Sequence, residues 1–146
     1  METKVYKPKT DGLFYAIWIP TILLLLACTV VACTDPVALL ILIATDIFTL
    51  YFLVSSLVGY VELRENTVFI RYGFILTREI DYLGIREMKK ERKFYSETML
   101  SLKNSVEHIT IKYNKFDVTT VSVTDNDDLM INIRARIESK RIDSEI

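Results

Sequence analysis

The chain has 146 residues, of which 51% are apolar and 25% charged, with a net charge of −1. A mean hydropathy of +0.26 beside so many charges means that the two kinds of residue are segregated, which excludes an ordinary water-soluble globule and a disordered chain. The near-neutral balance, with a pI of about 5.9, gives no electrostatic reason to expect nucleic acid as a partner.

Residues 1–12 read as a short tail carrying Lys4, Lys7 and Lys9. Between Leu13 and Val58 the only charged residues are Asp35 and Asp46. This block divides into two apolar runs, 13–34 and 37–58, each long enough at about 1.5 Å per residue to cross a hydrocarbon core of about 30 Å as a helix. Helix is the form such runs take in lipid, because backbone amides there need partners within the segment. Asp35-Pro36 stands between them: the aspartate is a good N-cap and the proline suits a first helical turn, so a tight helical hairpin is predicted. Basic residues lie before the first run and after the second (Arg64, Arg71, Arg78), with none in the turn. The positive-inside rule then puts both termini in the cytoplasm and makes the protein a multi-pass, integral one in contact with membrane lipids. Tyr15, Trp18 and Tyr60 fit an interfacial aromatic belt.

Both cysteines, Cys28 and Cys33, fall in the first run and read as small apolar helix residues. Val30-Val31-Ala32-Cys33 has the look of a lipoprotein signal, but its apolar core exceeds the usual 7–15 residues and a second span follows at once. Asp46 is the odd residue of the block, since a carboxyl near mid-membrane costs about 2.5–3.5 kcal/mol and avoids lipid. With Thr45 and Thr49 it forms a polar cluster, and counting back from the turn sets it beside Leu25, with Thr21 and Cys28 one turn to either side. The expected role of Asp46, Thr49 and Thr21 is hydrogen-bonded glue between helices or between copies of the chain; a proton-linked transport or channel subunit is the alternative.

From Gly59 the hydrophobic period changes from helical to two. Strands are predicted at 60–64, 67–72, 74–81, 83–88, 97–102, 106–113 and 118–123, with turns at Glu65-Asn66 and Asn114-Lys115. After Thr124, acidic residues at Asp127 and Asp128 and an apolar stripe of Leu129, Met130, Ile133 and Ile137 predict an amphipathic helix over 125–140, with 142–146 frayed. Strands in short order followed by one helix make a small antiparallel barrel or sandwich capped by a helix.

The pattern of Tyr60, then Val68-Phe69-Ile70-Arg71-Tyr72-Gly73-Phe74, Ile80-Asp81-Tyr82 with Ile85, Ser101-Leu102, Ile109-Thr110-Ile111-Lys112-Tyr113, and Ser122 with Asp125, Asp127 and Leu129, resembles the bacterial PH-like domain proteins, specifically the YyaB-like group. Asn104 departs from the acidic-basic pair usual there. The resemblance implies a membrane helical hairpin plus an α+β, mainly-β PH-like barrel of about seven antiparallel strands over 59–146, in a bacterial inner membrane protein.

No catalytic set emerges, so no enzyme, metal or cofactor is expected. The only histidine, His108, lies inside a predicted strand and is expected at its solvent face or the barrel rim. Asp125, Asp127 and Asp128 lack the glycine and distal glutamate of a calcium loop. The densest charge feature is 86–93, with Arg86, Lys89, Lys90, Arg92 and Lys93 against two glutamates. Its resemblance to the basic inter-strand loops of PH-like folds implies anionic head-group binding, strengthened near an anionic leaflet by about 1 kcal/mol per base. The expected role is therefore a non-enzymatic binding module at the cytoplasmic membrane face, engaging an unknown protein partner or a second copy of itself, with lipid sensing as the alternative.

Overall fold

The computed structural model of the chain describes residues 2–96, 98 and 101–145. The chain opens with strand β1 (Lys4–Tyr6), then enters helix α1 (Gly12–Val31). Asp11 caps α1, its Oδ1 accepting the amides of Leu13 at 3.0 Å and Phe14 at 3.2 Å. Helix α1 passes Pro20 without interruption and tightens into a 3-10 turn at Ala32–Thr34. Asp35 then caps α2 (Pro36–Val58) through bonds from Val37 and Ala38, with Pro36 in the first turn where its missing N–H costs nothing. The two arms pair as a hairpin whose apolar windows contain no buried residue, and each is long and apolar enough to cross a membrane.

Strands β2 (Tyr60–Leu63), β3 (Thr67–Arg71) and β4 (Thr77–Asp81) follow, and with β1 make an antiparallel sheet ordered β1-β2-β3-β4. A 3-10 turn at Tyr82–Gly84, capped by Asp81, carries the chain out of that sheet. Strands β5 (Ile85–Arg92), β6 (Ser101–Leu102), β7 (Glu107–Tyr113) and β8 (Asp117–Val121) make a second sheet ordered β5-β7-β8-β6, in which β6 runs parallel to β8. Helix α3 (Asn126–Glu145) ends the fold.

Alternation explains the burial. Val61 and Leu63 of β2, Val68 and Ile70 of β3, and Ile109, Ile111 and Tyr113 of β7 all point to one cluster, joined by Val121, Leu129 and Ile133. Each such side chain contributes about 1.5–3 kcal/mol on burial. Tyr72 with Thr119 and Arg78 with Tyr113 bond between the sheets.

The strands form two sheets that are not closed into a barrel, because the turn after β4 starts a new ladder instead of extending the old one. Segment 1–12, expected as a tail, supplies β1, which pairs Lys4 with Leu63 and Tyr6 with Val61. The β7–β8 connection has three residues, with Asn114 at φ 50°, a conformation asparagine tolerates. Helix α3 continues past 140 to Glu145, since nothing from Arg141 onward is a glycine or proline that would stop it. Of the strand predicted at 97–102, Glu97, Met99 and Leu100 lie outside the described residues.

Candidate functional site

The basic segment 86–93 is not a loop. It is strand β5 and the residue after it, and the pleat divides its charges between two faces. Lys89 shares a face with Glu87 and Glu91, opposite Thr110 and His108 of β7. Lys90 and Arg92 lie on the other face, opposite Ile109 and Glu107. A bulge between Ile85 and Glu87 turns Arg86 toward the β7–β8 turn, where it donates to the Lys115 carbonyl at 2.9 Å.

Lys89, Lys90 and Lys93 are also matched by acids. Glu87 accepts from Lys89 at 2.7 Å and Lys112 at 3.0 Å, and these bonds hold its carboxyl down at about 2. Lys90 pairs with Asp127 of α3 at 2.9 Å, which raises the lysine's pKa. Lys93 pairs with Glu91 at 3.1 Å and lowers the glutamate. Exposed pairs of this kind add little to stability, but they compensate the charge of these three lysines and not that of Arg86 or Arg92. The structure therefore sets Lys89 on one face of β5 and Lys90 and Arg92 on the other, with Arg86 at the β7–β8 turn and Lys93 just past the strand's end. Arg92 makes no side-chain bond among the described residues.

In the hairpin, Asp46 is bonded by Thr29, whose hydroxyl donates to Oδ2 at 2.8 Å. The expected neighbour Thr21 instead donates to the Ile17 carbonyl of its own helix. Leu25, the neighbour found by counting back from the turn, does border Asp46, and Thr29, one helical turn nearer the hairpin turn, makes the bond. Asp46 Oδ1 is buried without a partner among the described residues. It borders a cavity of about 180 Å3 shared with Ile22, Leu25, Leu26, Thr49 and Leu50.

His108 is buried in β7, at 2% exposure, not at a solvent face or rim. Lys93 and Lys103 lie close enough to act on it. Burial lowers its pKa, and Lys103 and Lys93 add to that effect. The Val106 carbonyl, 3.0 Å from Nδ1, and the Glu91 carboxylate oppose it. The folded protein thus takes up a proton at His108 less readily than the unfolded chain, whose ring protonates near pH 6.5, so stability falls as pH drops through that value. Between pH 7.5 and 5.5, denaturant midpoints should fall in the wild-type chain and fall less in His108→Gln. Equal losses in both would remove the histidine from the account.

The seam between hairpin and sheets is the part that sequence reasoning missed. Asp11 uses its second oxygen to accept the Val106 amide at 2.7 Å, so one carboxylate caps α1 and fixes it to the β7 sheet. Asn104, buried, donates to the Ser56 carbonyl in the last turn of α2 at 2.6 Å. Gly59 and Gly73 permit close contact: a β-carbon at Gly59 would lie 2.6 Å from the Arg71 carbonyl, and one at Gly73 would lie 2.0 Å from Ser55 Oγ. The groove left between α2 and the sheets holds about 420 Å3 and is lined by Tyr51, Phe52, Ile75, Leu76 and Leu102 among others. The sequence signals were a departure at Asn104 and a glycine after β3, neither of which has a period to reveal it.

Among the described residues no group of His, Cys, Asp or Glu could hold a metal. A family model described as a bacterial PH domain matches residues 59–137. No curated protein and no solved structure matches the chain.

Proposed function

The chain belongs to the bacterial PH domain family, and on that footing we propose that it is a membrane-anchored binding module that gathers protein partners at the cytoplasmic face of the membrane without catalysing a reaction. In this reading α1 and α2 cross the bilayer, both termini are cytoplasmic, and the unknown partner set includes a second copy of the chain. The observation that carries it is the ladder between β1, before the hairpin, and β2, after it. Strands on opposite sides of a bilayer cannot pair, so this ladder supports placing both ends of a crossing hairpin on one side. The lysines at 4, 7 and 9 favour the cytoplasm as that side. Members of this family are in general binding modules, and no enzymatic family matches. The unpartnered Oδ1 of Asp46, on a hairpin with apolar side chains exposed along both arms, favours a second hairpin as one partner.

Crosslinking of the full chain in native membranes tests this. Discrete adducts are expected, including a dimer that weakens with Asp46→Leu and survives charge reversal at Lys89, Lys90, Arg92 and Lys93. A chain recovered only as monomer would refute the binding reading. Release by alkaline carbonate alone would refute the anchor. Loss of membrane-surface contact on charge reversal, with adducts unchanged, would favour anionic lipid as the ligand.

A further inference from the structure

Two loops of the sheet domain expose large apolar side chains beside the hairpin. Gly73–Leu76 presents Phe74, Ile75 and Leu76, with Ile75 77% exposed; the segment after β5 presents Phe94, also 77% exposed, and Tyr95. Both sit well below the helix ends. The Phe74 ring lies 5.6 Å from that of Tyr51, seven residues before the end of α2 at Val58. Phe94 shares a groove with Ile17 and Trp18, the latter six residues into α1.

The lengths fix what this means. Twenty-three residues of α2 span about 35 Å against a hydrocarbon core of about 30 Å, leaving about 5 Å to spare. Tyr51 stands about 10 Å from the end of α2, so even with all the spare length on the cytoplasmic side its ring is at or beneath the hydrocarbon boundary. The first arm, Gly12–Thr34, has the same length, and Trp18 lies about 9 Å in.

A second feature fits lipid as the neighbour. Backbone carbonyls that leave water need a donor, and each loop has a cation supplying one. Arg71 donates from Nε to the Gly73 carbonyl at 2.7 Å and from Nη2 to that of Phe74 at 3.0 Å. Lys103 donates to the carbonyls of Lys93 at 2.6 Å and Tyr95 at 2.5 Å. Within the first loop the Tyr72 amide also bonds the Leu76 carbonyl at 2.8 Å. Exposed apolar tips on tied-off backbones are what an interfacial insertion requires.

We infer that the loops bearing Phe74–Leu76 and Phe94–Tyr95 insert into the boundary between head groups and acyl chains on either side of the hairpin. The domain is then seated in the membrane surface and held in one orientation. This rests on the anchor reading, and the experiment separates the two. In full-length chain with Cys28 and Cys33 replaced by serine, single cysteines at Ile75→Cys, Phe94→Cys, Ile47→Cys and Phe116→Cys carry a small environment-sensitive fluorophore. Phe116 is the control: it is 84% exposed in the turn at the far end of β7, about 20 Å along the strand from Glu107. In phosphatidylcholine vesicles containing lipid brominated high on the acyl chain, or at its middle, probes at 75 and 94 should lose about half their emission or more to the shallow bromine. The probe at 47 should respond to the deep one, and the probe at 116 to neither. Quenching at 47 without quenching at 75 and 94 overturns the insertion and leaves the anchor standing, with the apolar loops free for a protein partner. No quenching at 47 overturns the anchor and the insertion together. Quenching at 116 as strong as at 75 overturns the specific seating.

Discussion

Gly73→Val should lower the melting temperature of the detergent-solubilised chain by roughly 15 °C, the equivalent of about 3 kcal/mol in a domain this size. Two costs combine. Gly73 has φ +143°, a conformation glycine enters freely and side-chain-bearing residues do not, costing about 1–3 kcal/mol. The added carbon also meets Ser55 at three atoms: Oγ at 2.0 Å, the carbonyl at 3.1 Å and Cβ at 3.2 Å. The hydroxyl can rotate away, but the other two belong to α2 and cannot, so overpacking adds about 1–3 kcal/mol. Gly12→Ala is the matching control, because nothing lies within 4 Å of a β-carbon there and the residue opens a helix. Near-UV circular dichroism melts of the two variants beside the wild type give the comparison. Were Gly73→Val to melt with the wild type, loop 73–76 would not be pressed against α2, and the depth assigned to Phe74 would lose its support.

Ile133→Ala should cost about 2–5 kcal/mol, the range for emptying a closed core site. Ile133 and Leu129 are fully buried on the face of α3 that covers the sheets. Ile131 lies on the same helix with 67% of its surface exposed, and Ile131→Ala should change stability by less than about 0.5 kcal/mol. Guanidinium midpoints for the pair separate burial from helix propensity, which is the same in both substitutions. Similar losses at 131 and 133 would mean that α3 does not pack as described.

These two sites show how unevenly the fold was written in the sequence. The stripe of Leu129, Met130, Ile133 and Ile137 has a helical period, and it is the stripe that packs on the core. The charge-free runs and Asp35-Pro36 likewise state the hairpin outright, because lack of charge and a capping aspartate are local properties. β1 has three residues, too few for a period, and its partner lies across the whole hairpin. The resemblance to basic inter-strand loops implied a loop at 86–93, yet a strand edge tolerates bases when acids alternate with them, as Glu87 and Glu91 do. That Thr29 and not Thr21 reaches Asp46 depends on how the two arms meet, which no residue type announces. The seam depends on what meets Gly59, Gly73 and Asn104, and a contact between distant segments leaves no mark on either.

The pairing of β1 has a consequence for biogenesis. Lys4–Tyr6 leaves the ribosome before either helix, yet its neighbour β2 exists only after both helices have been made. Its other contacts come later still: Asp128 receives Lys4 and the Tyr6 hydroxyl, and Arg136 reaches the Glu2 carbonyl. The strand translated early must therefore wait, unpaired, until β2 has emerged, and for its side-chain partners until α3 has; on the anchor proposed above, an insertion event that left the two ends of the hairpin in different compartments would leave the sheet one strand short.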